Sequence, residues 1–198
     1  MAATAIVKGI GFNTAMLYAE RGLGEAAVGK MLKALADEHR VAIGEMRLPS
    51  SEVPLPFAER AWDGVAKLTK LEKHAELRGY FQDMGKFIAI SNLNGVYRSL
   101  LALLGSPSRL SRRLPSLWQM YFPGVTVDVD VSGLAEGRAR HEVHGFAGAP
   151  YVAAMGEGWI AYAYGLVGGK DVTVDEEAMA AGRMKSGESL RYAATWRP

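Results

Sequence analysis

Apolar positions in the first half of the chain recur at helical steps. Val28, Met31, Leu32 and Leu35 are three, one and three residues apart, which predicts a helix over 24–38 with one buried face. A shorter apolar side from Thr14 to Glu20 predicts a helix before it, ending near Arg21-Gly22. Phe57, Ala61, Val65 and Leu68, with Trp62 beside them, predict an amphipathic helix over 57–70. Ala89, Leu93, Val96, Tyr97, Leu100 and Leu104 predict another, stopped by Gly105 with Pro107 beyond and kinked near Asn92, Asn94 and Gly95. Leu110, Leu114, Leu117, Trp118 and Tyr121 form a further stripe, in which Pro115 predicts a restart with proline in the first turn. Pro49, Pro54 and Pro56 exclude a regular helix over 47–56, so an extended, packed connector is expected there.

The period changes after Pro123-Gly124. Val125, Val127, Val129 and Val131 alternate with Thr126, Asp128, Asp130 and Ser132, the pattern of a strand with one wet face. Turn residues follow, and Arg138 to Phe146 alternates with Ala139, His141 and Val143 on one side, predicting a hairpin. Pro150 opens an apolar helix to Val167, stopped by Gly168-Gly169. Val172 and Val174 begin a third strand. Leu190, Tyr192, Ala194 and Trp196 mark a fourth, with Lys185 to Glu188 as the turn before it. The expected fold is α+β: one domain over 1–198, mainly helical over 1–122, then an antiparallel strand-strand-helix-strand-strand unit over 123–198.

Composition narrows the function. The chain has 198 residues, 49% hydrophobic and 22% charged, which excludes a disordered or fibrous protein. A net charge of +2 argues against nucleic-acid binding by bulk electrostatics. No cysteine is present, which removes disulfides, thiolate metal sites and a cysteine nucleophile. The longest uncharged stretch, Leu114 to Val127, holds two prolines and is too short to span a membrane, and the N-terminus lacks a signal-peptide pattern. A cytoplasmic location is the expectation.

Chemical motifs are sparse. His141 and His144 lie three apart in a predicted strand, so they point to opposite faces and cannot chelate one ion without a bulge. Asp128 and Asp130 share a strand face that alternation makes a solvated one. There is no nucleophile elbow, phosphate loop or dinucleotide fingerprint. Two features stand out. Between Met84 and Val127 there is no Asp or Glu, and Arg109, Arg112 and Arg113 cluster at a predicted helix start. They form either a solvated basic face or a patch for an anion or acidic partner. The second feature is aromatic density. Trp118, Tyr121, Phe122, Trp159 and Tyr162 form either plain core or the wall of a pocket for a hydrophobic small ligand.

The opening Val7-Lys8-Gly9-Ile10-Gly11-Phe12-Asn13 resembles the start of heme nitric-oxide-binding domains. With Leu114 to Phe122, Gly158-Trp159 and the closing Gly187-Glu188, Tyr192 and Trp196, the chain resembles a myxobacterial-type bacterial family of about this length. That family is similar to 4-vinyl-reductase, heme nitric-oxide-binding and TRAPP-subunit domains. The resemblance implies the α+β order given above and a scaffold that senses small apolar molecules and dimerises. Heme-binding members carry an axial His before the sheet and a Tyr-x-Ser-x-Arg motif. This chain has Trp118 and no His in that region, and no such motif. Zinc-binding and lipid-carrying relatives use cysteines. The expectation is therefore no heme and no zinc. The function expected is a non-enzymatic sensor or adaptor in bacterial signalling, homodimeric because the helices over 57–70 and 89–104 carry surplus apolar surface. The alternatives are a ligand-free interaction module and an enzyme on a hydrophobic substrate.

Overall fold

The computed structural model describes residues 6–39, 48–93, 105–146, 150–182 and 189–197. Strand β1 (Ile6–Lys8) leads directly into α1 (Gly9–Leu23), and α2 (Glu25–His39) follows after Gly24. Strand β2 (Glu52–Pro54) pairs antiparallel with β1, placing the buried Val7 opposite the buried Val53. This small sheet is where the proline-rich connector packs down. Its loop also serves α1: the Gly9 and Ile10 N–H groups donate to the carbonyls of Ser51 and Pro49 at 2.8 and 2.9 Å, supplying partners that a helix N-terminus lacks.

Three helices complete the first half: α3 (Leu55–Thr69), α4 (His74–Leu93) and α5 (Pro107–Tyr121). In α3 the predicted stripe of Phe57, Ala61, Trp62 and Val65 is buried inside the chain. Leu68, the last residue of that stripe, is partly buried and packs against the same core. Helix α4 begins well before the stripe at Ala89 that announced it. Its first turns carry Arg78, Gln82 and Asp83 among Tyr80, Phe81 and Met84, a mixture without a clean apolar face. Of the predicted kink, Asn92 lies within α4, and Asn94, Gly95 and the rest of the predicted helix to Leu104 lie outside the described residues.

Helix α5 corrects a second expectation. It runs unbroken through Pro115, with Ser106 as its cap accepting from the Arg109 N–H at 3.3 Å. Proline in a helix interior costs roughly 3 kcal/mol. The same face buries Leu110, Leu114, Trp118 and Tyr121, and each large apolar side chain contributes about 1.5–3 kcal/mol, which outweighs that cost.

The second half is a four-stranded antiparallel sheet in the order β3-β4-β6-β5, built from β3 (Thr126–Asp130), β4 (Arg138–His144), β5 (Lys170–Glu176) and β6 (Ser189–Arg197). Helix α6 (Pro150–Leu166) joins β4 to β5, and a single-turn helix α7 (Glu177–Ala180) follows β5. The register sets Ala139, His141 and Val143 of β4 opposite Ala194, Tyr192 and Leu190 of β6, all on the buried face. The predicted turn over 185–188 lies outside the described residues. The fold is the α+β arrangement expected, a helical first half followed by strand-strand-helix-strand-strand.

The central packing event is α4 against α6. Gly85 of α4 lies against the Met155 backbone, where an added Cβ would sit 1.9 Å from the carbonyl oxygen. Gly158 of α6 lies against the Gln82 backbone in the same way. Each helix thus presents a glycine to the other's main chain. No helix among the described residues is long and apolar enough to cross a membrane.

Candidate functional site

A narrow cavity of about 50 Å³ lies among α1, α3, α4, α5 and α6. Its wall combines Val7, Gly11, Trp62 and Ile88 with the C-terminal turns of α5 and the middle of α6. Each element contributes for a local reason. Gly11 has no side chain where the Tyr121 ring lies on α1, since a Cβ there would stand 3.0 Å from that ring. Gly156 leaves room for the Tyr192 hydroxyl in the same manner. The helical period of α5 brings Trp118, Tyr121 and Phe122 to one side, and α6 presents Val152, Met155 and Trp159. Tyr121 meets Trp159 edge-on at 5.8 Å, and Trp118 packs against Phe122 at 5.4 Å and Tyr192 at 6.0 Å.

Of the five aromatics singled out in the sequence, Trp118, Tyr121, Phe122 and Trp159 come together on this wall. Tyr162 does not. It faces an open groove on another side of α6, with Gln82, Asp83, Lys86 and Glu157. Trp62, read in the sequence only as part of a helical face, joins the cavity. The Nε1 atoms of Trp62, Trp118 and Trp159 are buried and have no hydrogen-bond partner among the described residues.

Two buried polar clusters flank the cavity. In the first, Glu157 of α6 is 1% exposed and accepts four hydrogen bonds. Arg78 donates from Nε at 2.9 Å and Nη2 at 2.7 Å, Gln82 from Nε2 at 2.8 Å, and Glu176 from its backbone N–H at 2.6 Å. Arg78 also reaches Asp175 at 2.7 Å, and the carboxylates hold its guanidinium pKa above the ordinary value. Glu176 caps α7, accepting from the N–H groups of Ala178 and Met179. Glu157 was visible in the sequence as the lone charge inside an apolar helix, a pattern that signals a buried, paired carboxylate.

The second cluster is a chain from α5 through α6 to β4. The Ser111 hydroxyl donates to the Pro107 carbonyl at 2.9 Å. Its oxygen therefore accepts from the Tyr164 hydroxyl at 2.5 Å, and the Tyr164 oxygen accepts from His141 Nε2 at 2.8 Å. That order assigns His141 the neutral Nε2–H form, leaving Nδ1 as an acceptor without a partner among the described residues. Burial drives the His141 pKa down to about 4 and raises that of Tyr164. His144 points to the other face of the sheet, 3.1 Å from Asp128, as the strand period requires. No group of three metal-ligating side chains occurs among the described residues.

Arg109, Arg112 and Arg113 are exposed on the first turns of α5. No ion pair joins them to any described residue. The same helix therefore carries the basic cluster at its start and the cavity wall at its end.

No family model and no curated protein matches the chain. Solved structures do. An Fe(II) unliganded H-NOX protein from K. algicida superposes with a TM-score of 0.69 at 12% identity, covering 96% of this chain and 97% of that one. The fold is that of the H-NOX proteins. An H-NOX protein from S. oneidensis in the Fe(II)NO ligation state matches with a TM-score of 0.64 at 12% identity, over 96% and 99% of the two chains. At this identity the match speaks for architecture, and it carries the heme nitric-oxide side of the resemblance seen in the sequence to the level of fold.

The same finding corrects the expectation that no heme cofactor belongs to this chain. That expectation rested on a missing axial-His motif and missing cysteines, whereas the structures sharing this architecture are iron-bearing H-NOX proteins. The cavity as described, about 50 Å³, is smaller than the ~150 Å³ that takes a single benzene ring and so does not hold a porphyrin as it stands.

Proposed function

We propose that this chain is a small-molecule-sensing domain, non-enzymatic, with its ligand site in the cavity between the helical half and α6. The observation that carries this reading is the convergence of five helices on one almost wholly apolar, aromatic-walled space, the usual form of a small-ligand site. Among the described residues nothing near it is arranged as a nucleophile with a base, and the two buried polar clusters are tied up in structural hydrogen bonds. Helix α5 is the transmitting element. A ligand that displaces Trp118 or Tyr121 moves the helix whose other end bears Arg109, Arg112 and Arg113, which would dock an acidic partner.

Native mass spectrometry of freshly purified protein tests the reading. A retained small mass, lost in a variant whose cavity is filled by Val152→Leu, supports it; identical ligand-free spectra and no stabilisation by any small apolar compound overturn it. A second reading, a gas sensor with a bound heme, is favoured by the Fe(II) and NO states of the structural neighbours. A Soret band in protein grown with a heme precursor would select it.

A further inference from the structure

The four-stranded sheet has two edges of different kinds, β3 and β5. An edge strand turns alternate backbone N–H and C=O groups away from its one neighbour, and natural edges are ordinarily blunted against further pairing. The β5 edge is blunted. Its register with β6 shifts between Lys170 and Thr173, Asp171 takes a left-handed φ of 51°, and α7 follows at its C-terminal end. The β3 edge is not. Thr126 to Asp130 pair with β4 in an unshifted register, without proline or bulge, and no described strand lies beyond them. Every residue of β3 is exposed or half-buried.

The two faces of β3 differ in chemistry. On the inner face Val127 and Val129 are only half-buried, whereas the β4 residues opposite them, Val143 and His141, are buried. On the outer face Asp128 and Asp130 project beside Thr126. Asp128 is 82% exposed and stands opposite Glu142, a like-charge pairing that is unfavourable across a ladder. Glu142 is occupied by Ser189 and Arg191, and Asp128 has His144 at 3.1 Å. Asp130 stands opposite Arg140 and accepts from the Ser132 N–H at 2.9 Å. From this geometry we infer that β3 is a docking edge for an extended segment of a partner protein in which Lys or Arg alternates with apolar residues. The main chain of that segment continues the ladder, its apolar side chains cover Val127 and Val129, and its cations stand beside Asp128 and Asp130. A second copy of this chain fits less well. Pairing β3 with β3 about Asp128, parallel or antiparallel, sets aspartate against aspartate on the outer face. No residue of β3 lines the apolar cavity, so the inference stands apart from the sensing role.

The test titrates three peptides of equal length into the full chain by fluorescence anisotropy. One alternates Lys and Val, one holds the same residues in two blocks, and one alternates Glu and Val. Amide hydrogen exchange is followed with and without each. The alternating Lys peptide is expected to bind at least ten-fold more tightly than the block peptide and to slow exchange at alternate β3 amides, with those of β5 unchanged. Exposed charges tolerate replacement, so Asp128→Lys with Asp130→Lys should melt as the parent does and move the preference to the Glu peptide. Where that pair of changes unfolds the chain, Asp128→Asn with Asp130→Asn takes its place and should remove the preference for the Lys peptide. Equal binding of the two Lys peptides reduces the surface to a diffuse acidic face and overturns the docking edge. Protection outside β3, or a preference that survives loss of both aspartates, overturns it too. Protected β3 amides in the parent alone, with a dimer mass in sedimentation, make a second copy the occupant and overturn the partner assigned here. Failure of the alternating Lys peptide to bind overturns the inference outright.

Discussion

Helices α4 and α6 meet in two ways within a few turns. Around Glu157 the meeting is polar and complete: each carboxylate oxygen accepts two hydrogen bonds, from Arg78, Gln82 and the Glu176 backbone. Around Gly85, Met155 and Trp159 it is apolar and incomplete, with a cavity left beside it. The difference separates structure from function. A buried charge without its partners would unfold the junction, so the Glu157 cluster must be closed in the resting molecule. An apolar contact that leaves a small space forfeits packing only, so it can stay open in the resting molecule.

The strongest way to break this contrast is to force the helices apart. Gly85→Ala places a methyl 1.9 Å from the Met155 carbonyl oxygen and 2.6 Å from its carbon, both main-chain atoms that cannot turn away. A loss of more than about 4 kcal/mol, or no folded protein, is expected in urea denaturation. Gly165→Ala on α6 is the control, because no neighbour lies within 4 Å of its added Cβ. There the better helix propensity should raise stability by roughly 0.5–1 kcal/mol.

Glu157→Gln opens the polar half of the contrast. It leaves the partly buried Arg78 without its main anion, and breaking such a pair costs about 3–5 kcal/mol. If the two regions are as distinct as the geometry indicates, the variant, where still folded, retains in native mass spectrometry the same small molecule as the parent. Loss of that molecule would show that the cluster is part of the site.

The sheet side of the core gives a pH test. Folded His141 has a pKa of about 4, depressed by burial, against about 6.5 when unfolded. Between these values the unfolded chain holds a proton that the folded one does not, so stability falls as pH drops from 6.5 towards 4. Above 6.5 the effect vanishes, and below 4 it levels off. The change is of the order of 3 kcal/mol. His141→Gln, which keeps a donor for Tyr164, should flatten this limb in melts across pH 4–7. An unchanged slope would reject the buried neutral imidazole.

The smallest effect is expected at the surface. Replacing Arg109, Arg112 and Arg113 by Gln should change stability by less than about 0.5 kcal/mol, because the three are exposed and unpaired among the described residues. Capture of an acidic partner should be lost in the triple variant and weakened in the parent as salt is raised, since exposed charges are screened beyond about 8 Å at 0.15 M. Capture that survives both changes would move the output surface away from α5.

Much of the architecture was legible because burial leaves a period. The stripes at Val28–Leu35 and Phe57–Leu68 and the alternation along β3, β4 and β6 each reproduce a face that the structure buries on one side. Helix α4 was legible only at its end, because its first turns face Glu157 as well as the core and so mix Arg78 and Gln82 with aromatics. Strands β1 and β2 are three residues each, too short to show a period. Pro115 misled because a local rule met a stronger tertiary demand from Leu114 and Trp118.

Of the site, the aromatic types were legible and their grouping was not. Sequence by itself determined that Trp118, Tyr121 and Trp159 would face inward, that His141 and His144 would part to opposite faces, and that the three arginines would share a helix start. Only the tertiary structure decided that Trp62 joins the wall, that Tyr162 leaves it, and that three indole N–H groups lack acceptors. Periodicity fixes which side of an element faces inward, since that depends on the backbone's own repeat. Whether two inward side chains touch, or leave a space between them, depends on the distance between elements far apart in the chain. Here that distance is set by the glycine contacts of α4 and α6 at Gly85 and Gly158.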